Sequence, residues 1–180
     1  MDDLELDSLK YPIGKFSAPA DIDDELIESC INDIAAFPAR LRNEVAGLSP
    51  SQLDTHYRPG GWTIRQVVHH CADSHMNSWM RFKLALTEDK PVIRPYYEDR
   101  WAELPDSKIM DIEPALLLLD ALHTKWVYLL RSLTNADLSK VFIHPEHGKE
   151  YKLDVVICLY AWHCNHHLAH ISSLRSQQGW

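Results

Sequence analysis

The sequence predicts an all-α protein built as a four-helix bundle. Three observations carry that reading. Four stretches of about 20–26 residues place apolar side chains at three- and four-residue steps, the spacing of an amphipathic helix. Glycine, proline and capping residues punctuate the chain between them. At 180 residues the chain is long enough for one substantial core, so the four apolar stripes can be buried against one another.

The elements follow in order. Residues 1–21, with Pro12, Gly14 and Pro19 and little periodicity, read as an N-terminal arm, either ordered or a loose lead-in. Ile27, Cys30, Ile31, Ile34, Leu41 and Val45 mark the first long helix from about Ile22, which Pro38 should kink or divide and Gly47 closes. Ser49-Pro50 opens a short helical turn, and Pro59-Gly60-Gly61 marks a loop. Thr63 caps the second long helix, which runs to about Leu86. Residues 88–111, with Pro91, Pro95 and Pro105, form a long connection with room for a helical turn; such connections often line sites.

The third helix spans about Ile112–Leu133, with Pro114 in its first turn, and Asn135–Leu138 is a further turn. Val141–Tyr151 reads as a hairpin or a plain loop. The fourth helix covers about Leu153–Gln178 and ends at Gly179. No repeat or linker divides residues 1–180, so they are expected to form a single domain. The first-to-second and third-to-fourth connections are moderate and the second-to-third is long. Both an up-down-up-down order and one with a crossover are compatible with that.

Composition narrows the function classes. Eighteen basic against 26 acidic residues give a formal net charge of −8, which disfavours nucleic acid and anionic membrane surfaces as partners. No run approaches the roughly 18 apolar residues of a spanning helix, and the acidic start is unlike a secretory signal. Cys30, Cys71, Cys158 and Cys164 form no CxxC pair and sit in apolar stretches. They read as buried free thiols of a cytoplasmic protein.

The eleven histidines are the chemical signal. His163 and His167 lie i and i+4 in or beside the fourth helix's apolar stripe, so both imidazoles can reach one point. His170 sits nearby, while His166 is expected to point further towards solvent. Burying an imidazole without a partner costs roughly 1–3 kcal/mol. A divalent ion relieves that cost, because neutral imidazole is a common ligand of zinc and nickel. The pair uses the spacing of H-E-x-x-H metalloproteases without the glutamate, which argues against their mechanism. A catalytic site needs a third protein ligand and an open position. On the second helix periodicity disfavours His69 and leaves His70 and His75 both open. His56, His144 and His147 fall in loops and carry no assignment, and His123 reads as a hydrogen-bonded helix histidine.

Several segments resemble a known family: Tyr11–Gly14 (YPIG), Ser51–Thr55 (SQLDT), Gly60–Thr63 (GGWT), Arg65–His70 (RQVVHH), Ala72–Asn77 (ADSHMN), Arg81–Leu84 (RFKL), Ile93–Tyr96 (IRPY) and Asp106–Lys108 (DSK). Trp162-His163, His166-His167 and Ala169-His170 complete the set. Together they resemble the DinB-like superfamily and, within it, the YfiT-type metal-dependent hydrolases, from Tyr11 to Trp180. The resemblance implies a four-helix bundle, one divalent metal per chain (zinc first, nickel second), and a homodimer. It also implies the ligand set His70, His163 and His167, the first being the second histidine of the VVHH run. Cys71, where relatives carry leucine, and Asn165, in a more histidine-rich run, are departures that remove no ligand.

Such a site can activate a water, because a bound ion lowers the water pKa to about 7 in the best cases. The expected function is therefore hydrolysis of a small-molecule ester, amide or similar electrophile. One alternative is a thiol S-transferase using bacillithiol or a similar low-molecular-weight thiol. The other is a non-catalytic metal-stabilised bundle with His170 or His75 as a fourth ligand. Asp73 and His75 are the nearest ionisable groups for proton handling, and neither is assigned a role. Trp62, Arg94 and Tyr96 lie in segments able to cover the site.

Overall fold

The computed structural model describes residues 3–146 and 148–180; His147 lies outside the described residues. Four long helices form the bundle: α2 (Asp24–Val45), α4 (Ile64–Thr87), α7 (Glu113–Arg131) and α9 (Leu153–Gln178). Short helices fill the connections: α3 (Pro50–Leu53), α5 (Glu98–Trp101), α6 (Pro105–Lys108) and α8 (Asn135–Leu138). The arm is not a loose lead-in. It begins with α1 (Asp3–Lys10), too short and too weakly periodic to register as a helix in sequence.

Local chemistry sets the boundaries. Asp23 caps α2 by accepting from the Leu26 amide. Ser49 and Thr63 open α3 and α4 with reciprocal capping boxes, to Gln52 and Gln66. Pro38 does not divide α2, which runs through it as one helix with Ile27, Cys30, Ile31, Ile34, Phe37, Leu41 and Val45 buried. Gly179, at φ 71°, takes the left-handed conformation that ends α9.

The connectivity has a crossover. α2 packs on α7 and α9, and α4 packs on the same two helices, so α2 stands diagonally across from α4, and α7 from α9, while α4 and α7 are side by side. Arg42 meets Glu113 and Arg131 meets Asn32, which makes α2 and α7 antiparallel. Ser74 meets Tyr160 and His70 faces His167, so α4 and α9 are antiparallel as well. His75 meets His123 and Phe82 meets Trp126, so α4 and α7 run in the same direction. Parallel neighbours cannot be joined by a tight turn, and the long 88–112 connection is the return path this imposes.

That connection is held down along its length. Gln66 Nε2 donates 2.8 Å to the Ala102 carbonyl, and Arg65 joins the Met110 carbonyl (2.9 Å) to Asp54 (2.7 Å). Residues 141–152 form the hairpin, β1 (Val141–His144) against β2 (Lys149–Lys152), antiparallel with Val141 opposite Lys152. A bridge between Val92 and Ile143 ties the connection to this hairpin, with the Ile93 amide donating to the Ile143 carbonyl and the Ile143 amide to the Pro91 carbonyl. The core between the helices is apolar and aromatic, with Trp126, Phe37, Phe82, Leu41 and Ile157 fully buried. All four cysteines are free and buried.

Candidate metal centre

Antiparallel packing of α4 on α9 sets His70 opposite the i/i+4 pair. One nitrogen from each of His70, His163 and His167 lies within 4.8 Å of the other two. The ring centroids are 5.5 Å apart for His70–His163, 4.9 Å for His70–His167 and 4.4 Å for His163–His167. The trio forms part of the wall of a cavity of about 520 Å³. Tyr57, Trp62, Arg81 and Tyr96 line the same space.

Burial is what the three rings share electrostatically. It lowers the pKa of His70 to about 3, with the nearby His166 adding to the shift. His163 and His167 are pushed well below the ordinary histidine value, first by burial and then by neighbouring imidazoles. Each ring is neutral at pH 7 and offers a lone pair. An uncharged imidazole is the form a metal takes.

The two histidines of the second helix that periodicity left open go to different places. His70 joins the trio. His75 is fully buried and has both nitrogens engaged, Nε2 with His163 Nδ1 at 3.1 Å and Nδ1 with His123 Nε2 at 2.8 Å. With no free nitrogen, His75 is not available as a fourth ligand. His69 points away, towards the backbone of Met110 and Asp111. His123 is hydrogen-bonded as expected, through Nδ1 to the Ile34 carbonyl at 2.7 Å.

His166 departs from its expected position, being buried rather than turned to solvent. The helical wheel of α9 cannot register the arm that covers this face. Trp162 stacks on His166 at 4.5 Å and donates from Nε1 to the Gly14 carbonyl, while Tyr11 lies 6.1 Å from His166. His170 donates from Nε2 to the Lys10 carbonyl at 3.2 Å and stacks on Tyr57 at 3.9 Å. His166, His167 and His170 also bring ligand nitrogens within 4.8 Å of one another.

Two of the three residues expected to cover the site reach it. Trp62 lies against His70, ring centroids 4.5 Å apart, and Tyr96 lines the cavity, its phenol kept protonated by burial and by the neighbouring Tyr160. Arg94 is exposed and not part of the cavity wall. Asp73 is also absent from the wall; burial and Asp106 raise its pKa to about 6. Residues that sequence reading missed are Tyr57, Arg58, Arg81 and Tyr160. Nothing in periodicity distinguishes a cavity-facing arginine or tyrosine from a surface or core one.

Whether these residues suit a divalent ion can be tested on the donors themselves. The trio supplies three neutral nitrogens and no carboxylate, a set matched to zinc or nickel rather than to magnesium or calcium. His167 Nδ1 is buried with no hydrogen-bond partner. Ser74 Oγ, at 3.5 Å, is at the edge of hydrogen-bonding reach of His163 Nε2. Buried polar nitrogens left this poorly satisfied are costly, and a cation held by one nitrogen of each ring would offset part of that cost. The residues fit.

A helical bundle with diagonal connectivity and clustered imidazoles from α4 and α9 defines the class, and comparison with known proteins gives the family. Residues 34–171 match the DinB superfamily, and the chain belongs to it. It is similar to a protein of Bacillus cereus (strain B4264) named "Putative metal-dependent hydrolase", 54% identical over 175 residues covering 97% of this chain and 100% of the relative. A protein of the same name from Bacillus mycoides (strain KBAB4) is 55% identical over 172 residues, covering 96% and 98%. Among solved structures, YfiT from Bacillus subtilis superposes with a TM-score of 0.94 at 48% identity, over 96% of this chain and 99% of that one. That structure is described as "a probable metal-dependent hydrolase with an unusual four-helix bundle topology".

Proposed function

We propose that this protein is a metal-dependent hydrolase in which His70, His163 and His167 hold one divalent ion, zinc ahead of nickel. The observation that carries the reading is the convergence of three neutral imidazole nitrogens, all within 4.8 Å, at the wall of a cavity of about 520 Å³. When bound there, such an ion supplies Lewis acidity, bringing a water's pKa down to about 7 in favourable sites. The names of the relatives support the same reading.

The chain's own residues supply the rest. The cavity is of the size that takes a small molecule. Trp62 covers one face of His70 and limits access of bulk water. Tyr96, held protonated, is a hydrogen-bond donor for a substrate oxygen, and the wall sets Lys10, Arg58 and Arg81 against Glu98, Asp99 and Glu146, so it offers polar groups of both signs. The proposal includes a homodimer in the cytoplasm, resting on the family resemblance and the free cysteines; sedimentation of the purified protein checks the first.

The test compares stripped and zinc-reloaded protein on a panel of esters and amides, each with and without added thiols. Turnover by the reloaded protein alone, lost in His163→Ala, supports hydrolysis. Conversion of a chlorinated nitroaromatic that depends strictly on one thiol would replace hydrolysis with S-transfer. Zinc binding without turnover of any kind would favour a metal-stabilised bundle, with His170 as the available fourth donor.

A further inference from the structure

We propose that Ile34, His123 and His75 form a one-directional hydrogen-bond relay that holds His163 in the tautomer able to bind a metal, and that Pro38 makes the relay possible. The proposal rests on the metal-site reading above for its purpose, but its geometry stands independently. In an α-helix the carbonyl of residue 34 would accept from the amide of residue 38. Pro38 has no amide hydrogen, so it leaves this buried acceptor without its helical donor. His123, reaching across from α7, fills the gap with Nδ1 at 2.7 Å from the Ile34 oxygen.

That contact fixes every proton behind it. A carbonyl oxygen can only accept, so His123 Nδ1 carries the hydrogen. His75 and His123 are 0% and 2% exposed, an environment in which an uncompensated charge is costly, so each ring is neutral, with one donor and one acceptor. His123 Nε2 then accepts, and His75 Nδ1 donates to it at 2.8 Å. His75 Nε2 must accept in turn, and His163 Nδ1 donates to it at 3.1 Å. The only nitrogen of His163 left with a lone pair is Nε2. Without the relay the proton is free to sit on Nε2, where it would block coordination.

His75 and His123 are thus positioning residues that act through His163. Metal-ligating histidines usually donate their second N–H to a carboxylate, carbonyl or water. Here two imidazoles carry that function from the ligand to a backbone oxygen on the far helix without burying a charge. Phe37 and Trp126 pack around them, ring centroids 5.0 Å from His75 and 5.7 Å from His123 respectively, and keep the rings in place.

The experiment begins with metal-free protein labelled with nitrogen-15 at histidine, because the tautomers are readable without any ion. Long-range proton–nitrogen spectra should show His163, His75 and His123 all protonated at Nδ1; a proton on Nε2 of any of the three overturns the relay. In His123→Phe, His163 should lose its single tautomer and zinc should bind about 10- to 100-fold more weakly. His75→Gln, whose amide oxygen can accept from His163, should retain more affinity than His75→Leu. Unchanged tautomer and affinity in His123→Phe would overturn the proposal, since a merely structural role would lower thermal stability alone. Should that variant not fold, Pro38→Ala returns an amide donor to Ile34 and should weaken zinc binding without loss of helix; unchanged affinity there counts against the relay. Failure of zinc to bind the wild type would instead remove the metal-site reading and leave the tautomer result standing.

Discussion

The indole of Trp62 lies against the imidazole of His70, with ring centroids 4.5 Å apart and planes inclined at 47°. The pairing makes Trp62 an internal reporter for the proposed centre. Nickel titrated into the stripped protein should quench tryptophan emission to a plateau at one ion per chain. In Trp62→Phe most of the quenching should vanish while nickel content, measured by elemental analysis, stays the same. Undiminished quenching in that variant would place the ion elsewhere.

Single replacements of the clustered histidines should act on binding rather than folding. His70→Ala, His163→Ala and His167→Ala should each abolish stoichiometric zinc while retaining the helical circular dichroism spectrum. His69→Ala should keep full occupancy, because that side chain faces Met110 and Asp111 instead of the trio. Metal analysis of the four purified proteins decides it, and loss of zinc in His69→Ala would show that the other histidine of the pair is the ligand.

Acid sensitivity should arise in part from His123. Burial depresses its pKa to about 4, against the raising effects of the Ile34 carbonyl and of Asp120 on its own helix; His75 faces it from α4. An unfolded chain takes up that proton near pH 6.5 and the folded one does not, so stability falls as pH drops from about 6.5 towards about 4. The loss attributable to this group reaches roughly 3 kcal/mol at the lower limit. Urea denaturation of metal-free wild type and His123→Phe across this window should show the steeper decline in the wild type. Parallel curves would mean that His123 is already charged in the folded state.

The return path between α4 and α7 depends on Gln66. Its amide donates to the Ala102 carbonyl at 2.8 Å and approaches Glu103 at 3.3 Å. Gln66→Ala should cost about 1–3 kcal/mol, since it leaves a buried carbonyl without its donor. Amide exchange should speed up selectively around residues 98–108. Equal acceleration throughout the bundle would indicate general destabilisation instead.

Much of this architecture is visible in one dimension. The four long helices, the caps at Ser49 and Thr63 and the stop at Gly179 all follow from periodicity and end chemistry. So does the pairing of His163 with His167. What periodicity could not decide is which second-helix histidine faces them, because that depends on the rotation of α4 against two partners at once. His166 was hidden for a related reason: it is covered by residues more than 140 positions earlier, and an arm docked across a helix leaves no periodic trace. The His75–His123 contact left a fainter signal, two histidines on apolar stripes opposite a mid-helix proline. Each has an ordinary explanation alone, and only their proximity joins them.

The shared direction of α4 and α7 has an effect beyond connectivity. A helix of 24 residues is roughly 36 Å long, and the chain must travel back over much of that distance before α7 can start. On the way it contributes Tyr96, Glu98 and Asp99 to the cavity wall. None of the three clustered imidazoles lies on this stretch. Insertions or exchanges there can therefore change which molecules are admitted while leaving the ion-binding nitrogens untouched, so selectivity and coordination can diversify separately within one scaffold.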